Sequence, residues 1–121
     1  MKPIKKLKDL TIADAAQWST ILLRKEFSHY AEIGIFGDSG ADGNITVYVS
    51  PKDYETTGEY TQPDDFYEAE SPPGTAIKVN AGKHTTLQAG PWFALCVKAD
   101  VNQTGAATFT VVGREQSLGL K

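Results

Sequence analysis

The chain has 121 residues, 40% of them hydrophobic and 22% charged, with 12 basic and 15 acidic side chains and a net charge of −3. That length suits one domain able to bury a core without disulfide or metal staples, and the composition excludes a disordered chain, a collagen-like repeat or a coiled coil. A single cysteine, Cys96, excludes an intrachain disulfide, and no apolar run reaches the ~18 residues that a membrane-spanning helix needs.

In chain order, residues 1–17 read as a basic N-terminal arm. Lys2, Lys5, Lys6 and Lys8 outweigh Asp9 there, but no apolar stretch follows as it would in a signal peptide, so a soluble, non-secreted protein is expected. Thr11 and Asp14 are spaced as a capping box and predict one or two helical turns up to Ala16. Ile21-Leu22-Leu23 predicts a short strand buried on both faces. Alternation then takes over. Ile33 and Ile35 share one side of a strand, and so do Ile45, Val47 and Val49. The connection Gly37-Asp38-Ser39-Gly40-Ala41-Asp42-Gly43-Asn44 has hairpin chemistry.

The stretch 51–74 is long for a connection. Asp53, Glu55, Glu59, Asp64, Asp65, Glu68 and Glu70 lie within 53–70 with no Lys or Arg between them. Tyr54, Tyr60, Phe66 and Tyr67 predict that the loop packs rather than floats, and Ser71-Pro72-Pro73-Gly74 ends it. Ile77 and Val79 predict a further strand, and Asn80-Ala81-Gly82-Lys83 a turn. Gly90-Pro91 precedes the longest alternating series: Phe93, Leu95, Val97 and Ala99. Asn102 to Gly105 makes a turn before Phe109 and Val111, and 114–121 reads as a tail. About eight strands at this spacing predict an all-β fold, a single two-layer β-sandwich or jelly roll over residues 18–113.

Little convergent chemistry is present. Gly37-Asp38-Ser39-Gly40 resembles the nucleophile motif of chymotrypsin-like proteases. Ala41 and Asp42 follow where that family has Gly-Pro, and the triad lacks a suitably placed histidine and acid. Asp38, Asp42, Gly43 and Asn44 resemble part of a calcium loop, but Val49 occupies the position of the bidentate acid, so a hairpin is the better reading. Gly82-Lys83-His84-Thr85 lacks the leading glycine of a phosphate loop, since residue 77 is isoleucine. Two histidines, His29 and His84, and one cysteine are too few for a zinc site of that ligand type. No helix start lies beside Cys96 to activate its thiol. The sequons at Asn44 and Asn102 carry meaning only after secretion. Adjacent Asp64 and Asp65 on a strand would face opposite ways and could not converge on one glycosidic bond. The expectation is therefore a protein that is not an enzyme and takes no cofactor or metal.

Surface aromatics remain. If Phe93, Leu95 and Val97 face the core, Trp92 and Cys96 face away. By the same alternation Tyr48 and Phe36 face outward. Trp92 has a second reading, as part of a small core beneath the 51–74 loop. With Lys2, Lys5, Lys6 and Lys8, the residues Phe36, Tyr48 and Trp92 form the candidate interface.

The chain resembles the small β-sandwich virion proteins of tailed bacteriophages, capsid decoration proteins above all. Three segments carry the resemblance: Asn44-Ile45-Thr46-Val47-Tyr48-Val49-Ser50-Pro51-Lys52-Asp53, then Ile77-Lys78-Val79-Asn80-Ala81-Gly82, then Ala89-Gly90-Pro91-Trp92-Phe93-Ala94-Leu95. Tyr54 follows the first, where such modules carry glycine. The resemblance implies binding: docking on the major capsid protein at the outer capsid surface, self-association with a trimer favoured, synthesis in the host cytoplasm, and use of residues 1–17 as a docking arm. On that reading, deleting the arm leaves the sandwich folded. Tail, neck and fibre proteins share the architecture, and a carbohydrate-binding module stacking sugars on Trp92, Tyr48 or the loop tyrosines is a rival from another class. Four lysines beside so acidic a loop make a poor nucleic-acid footprint.

Overall fold

The computed structural model describes residues 4–53, 60–88, 90 and 92–115. Among these residues eight strands and one helical turn run as β1 (Ile4–Ile12), β2 (Leu22–Leu23), α1 (Arg24–Phe27), β3 (Tyr30–Phe36), β4 (Ile45–Ser50), β5 (Tyr67–Glu68), β6 (His84–Gln88), β7 (Ala94–Ala99) and β8 (Ala107–Glu115). They form two antiparallel four-stranded sheets. Sheet A has the order β1-β8-β3-β6 and sheet B the order β2-β7-β4-β5. This is the all-β, two-layer sandwich that the alternation predicts.

The core lies between the sheets. Sheet A contributes Leu10, Ile12, Ile33, Ile35, Phe109 and Val111, and sheet B contributes Leu22, Val47, Leu95 and Val97, all fully buried. Each set follows the period of two that places alternate side chains on one face. Pairs in register, Ile35 with Val111 and Val47 with Val97, keep the inward sets aligned from strand to strand.

Four expectations need correction. Residues 4–12 are not an arm. They are β1, paired with β8 from Ile4–Arg114 to Ile12–Ala107 with an irregularity between Lys6 and Lys8. That irregularity breaks the alternation of Ile4, Leu7, Leu10 and Ile12, and with four nearby lysines it disguises the strand. The capping box at Thr11 starts no helix, because Thr11 and Ile12 complete β1 and the chain turns at Ala15 with φ 65°. The single helical turn comes later, where the Glu26 carboxylate accepts the Leu23 N–H (2.8 Å). Ile77 and Val79 belong to no named strand. They run beside β4 through single backbone bonds, Val47 N–H to Ile77 C=O (2.9 Å) and Val79 N–H to Ile45 C=O (2.9 Å). At the other terminus Arg114 and Glu115 belong to β8, and 116–121 lie outside the described residues.

Candidate docking surfaces

The two sheets treat their outer faces differently. On sheet B, Ala94 and Cys96 point away from the main core yet are fully buried. Phe66, with Trp18, Ile21, Leu23, Tyr48 and Tyr60, covers them as a second apolar cluster. The Trp18 ring lies 4.9 Å from Tyr48 and 6.2 Å from Phe66, and Tyr60 lies 5.7 Å from Phe66. Polar bonds fasten this cover. Asp65 accepts the Thr61 N–H (2.7 Å) and pairs with Lys52 (3.0 Å), Tyr60 O–H donates to Lys52 C=O (2.6 Å), and Gln62 Nε2 donates to Ser19 C=O (3.0 Å). The Thr61 N–H, then Lys52, hold the Asp65 carboxyl below the usual range. Burial pushes the Cys96 thiol up to about 12, so it stays protonated at neutral pH. The described part of the stretch, 51–53 and 60–74, therefore packs, as its aromatics predict, although Tyr67 is 64% exposed; Tyr54 lies outside the described residues.

The outer face of sheet A has no such cover among the described residues. Gly34 lies at its centre, between Val112 on β8 and Thr86 on β6. A Cβ at Gly34 would sit 3.2 Å from Val112 Cγ2. Its absence leaves a hollow of about 170 Å³ lined by Ile4, Gly34, Phe36, His84 and Val112. Phe36 is 48% exposed and stacks on His84 at 5.3 Å, and Ile4 is 54% exposed.

A third surface is the open side of the sandwich, where β6 faces the β4–β5 side of sheet B. A groove of about 690 Å³ runs there. Val49, Ile77, Leu87 and Trp92 make its apolar part, and Glu32, Glu68 and Glu70 its acidic part.

The structure scatters the candidate interface residues. Phe36 is on the outer face of sheet A. Tyr48 is on sheet B, half-buried against Trp18, with its hydroxyl pushed up by burial and then by Glu68. Trp92 lines the groove and packs on Phe27 at 5.0 Å, while its C=O accepts Arg24 Nη1 (3.0 Å). The small core beneath the loop exists, but Cys96 and Phe66 form it rather than Trp92. Among the lysines, Lys8 donates to Ile21 C=O (2.8 Å) and faces Glu26 (3.6 Å), and Lys6 pairs with Asp9 (2.9 Å). Lys5 is exposed, and Lys2 lies outside the described residues. Sequence reasoning missed Ile4, Gly34, Val112 and the whole of β6. Their only signal was one apolar residue, Leu87, in a polar strand, and a glycine between two isoleucines.

The calcium-like loop is a polar fastening. Asp38 accepts the N–H groups of Thr108 (3.0 Å) and Gly40 (2.8 Å). Asp42 accepts both the N–H and the hydroxyl of Thr104 (2.9 and 2.7 Å), and Asp100 accepts the Asn44 N–H (2.9 Å). These donors, the backbone N–H groups first, hold all three carboxyls below their usual range. Gly43 has φ 79°, and a Cβ there would collide with Asp100 Oδ1. Among the described residues no three His, Cys, Asp or Glu gather as metal ligands, and no helix is long and apolar enough to cross a membrane.

These surfaces belong to a compact antiparallel β-sandwich whose outer faces are covered to different degrees. No protein-family model and no curated protein sequence matches the chain. Among solved structures, the SPBc2 prophage-derived protein YomS shares the fold, with a TM-score of 0.53 and 15% identity over 95% of this chain and 97% of that one.

Proposed function

We propose that the chain is a structural protein of a bacteriophage particle, acting by binding to other virion proteins and not by catalysis. The observation that carries this reading is the uncovered outer face of sheet A. Ile4, Phe36 and Val112 surround a hollow at Gly34 there, while the chain's own loop covers sheet B. Exposed aromatic and aliphatic side chains around a hollow are what interface cores are made of. The shared fold of a prophage-derived protein, matched over nearly the whole of both chains, supports the same reading.

The finer role is capsid decoration: sheet A seats on the major capsid protein at the outer shell and stiffens it. With 4–12 held in β1, the docking element is the sheet face and not a free arm. A tail or neck component is the second reading, favoured by the edges of sheet A that are unpaired among the described residues, β6 and Ile4–Leu7.

Purified particles of the phage encoding the chain test both. Mass spectrometry should find the chain at a fixed copy number, and gold-labelled antibody should place it on the capsid surface. Labelling confined to the tail or neck moves the assignment there. Absence from particles when the lysate contains the protein overturns the virion role. Gly34→Ser with Phe36→Ala should lower particle occupancy while leaving the melting temperature nearly unchanged.

A further inference from the structure

Two strand edges of sheet A are wholly or partly unpaired among the described residues, and an acidic groove lies beside one of them. Sheet A ends in β6 on one side and β1 on the other. An unpaired edge presents a row of backbone donors and acceptors ready to extend the sheet. On β6 the row is identifiable. Gly37 N–H donates to Lys83 C=O (2.8 Å), one residue before the Phe36–His84 pair. Bonded pairs alternate along an antiparallel ladder, so the N–H and C=O groups of His84, Thr86 and Gln88 point away from β3. No charged side chain guards His84–Gln88. On β1 the lower half is covered, since Thr20 N–H donates to Thr11 C=O (3.1 Å) and Lys8 reaches Ile21. Ile4–Leu7 has no neighbour on its outer side among the described residues.

Strand direction allows the two edges to meet. Every pairing in sheet A is antiparallel, so β1 and β6 run in opposite directions. Copies set side by side in the same orientation therefore bring β6 of one against β1 of the next as an antiparallel pair. Charge then selects this pairing over the two symmetric ones. Beside β6 lies the groove with Glu32, Glu68 and Glu70 and no lysine or arginine in its lining. Glu32 faces Arg114 (3.5 Å), whereas Glu68 and Glu70 carry no ion pair among the described residues. Beside Ile4–Leu7 stand exposed Lys5 and also Lys6, which lies 2.9 Å from Asp9, in a segment with a net charge of +3 over residues 1–10 (Lys2, Lys5, Lys6 and Lys8 against Asp9). Pairing β6 with β6 sets glutamates against glutamates, and β1 with β1 sets lysines against lysines. Only β6 with β1 joins opposite charges.

We infer that the chain self-associates head to tail, the Ile4–Leu7 edge of one copy adding to β6 of the next and its lysines facing the acidic groove. Such a contact uses two different surfaces, so it generates a closed ring or an open row and never stops at a two-fold dimer. The inference goes beyond the virion reading and concerns the purified chain alone, so either can fail without the other.

Native mass by light scattering on the purified full chain, over a concentration series at about 50 mM and about 500 mM salt, tests it. The wild type should form species larger than two copies at low salt, and high salt should weaken them. Thr86→Pro removes an outward N–H and should leave a monomer. Because proline in a strand can disturb folding, a surface variant carries the same test: Glu68→Lys with Glu70→Lys should raise the half-assembly concentration by about tenfold or more. Adding Lys5→Glu and Lys6→Glu to that variant should restore assembly. A wild type that stays monomeric at every concentration overturns the inference. So does a dimer that survives Thr86→Pro, or a charge-swapped chain that fails to recover.

Discussion

The two sheets face opposite problems. The outer side of sheet B would expose Ala94, Cys96 and Tyr48, and the chain covers it with Trp18, Tyr60 and Phe66. The outer side of sheet A keeps Ile4 and Phe36 in solvent around a floor at Gly34. The rings of Trp18, Tyr60 and Phe66 thus seal one sheet, and among the described residues the other is left bare at its face, along β6 and at Ile4–Leu7 of β1. Among the described residues the chain covers the apolar face of sheet B with its own side chains and leaves that of sheet A in solvent; on the virion reading proposed above, the open side is the one used for contact.

The largest expected effect breaks the comparison outright. Deleting residues 1–17 removes β1, with fully buried Leu10 and Ile12, together with Gln17, whose C=O accepts the Ala99 N–H (2.8 Å). It also bares the length of β8. The truncated chain should lose cooperative thermal unfolding. A truncation that melts near the wild-type temperature would restore the arm first suggested by its lysines.

A paired substitution comes next. Phe66→Ala uncovers Ala94 and Cys96 and should cost about 3 kcal/mol, the lower end for a buried phenylalanine because the cluster sits beneath a loop. Phe36→Ala on sheet A should stay within about 0.5 kcal/mol. Urea unfolding of both variants reads the difference directly. Equal losses would mean that the two outer faces are packed alike.

Acid gives the smallest and most general effect. Asp38, Asp42, Asp65 and Asp100 all titrate below their ordinary range in the folded chain. A depressed folded-state value means that their contribution is full above about pH 4, the unfolded value, and is lost as pH falls through the folded one. Stability should therefore be flat from neutral pH to about pH 5 and decline below about pH 4, with a shallower decline in Asp38→Asn. An acid limb equally steep in that variant would remove Asp38 from the account.

The sandwich was legible because burial on one face writes a period of two. Ile33 and Ile35, the valines of β4 and the run from Leu95 to Ala99 all carry it. The polar turns were legible from Asp38 to Asn44, though their carboxylates bind backbone N–H groups. The edge strands of sheet A were not legible. β1 hides its period behind lysines and an irregular register, and β6 has one apolar residue, since an edge strand with one face in water needs few. The outward placement of Tyr48 was read correctly and its burial was not. Alternation assigns a side chain to a face and carries no information about the loop that folds over it. The Gly34 hollow had no sequence signal beyond a glycine in a strand, which marks close approach as often as an open surface.

The central claim is that sheet A keeps its edges open for another copy while sheet B is closed by its own chain. Amide hydrogen exchange on the purified protein, at low and high concentration, tests it most directly. Protection should rise with concentration at Thr86 and across Ile4–Leu7, and stay unchanged along β4 and β7. Concentration-dependent protection in β4, β7 or the Thr61–Phe66 cover, with none at the edges of sheet A, would contradict it.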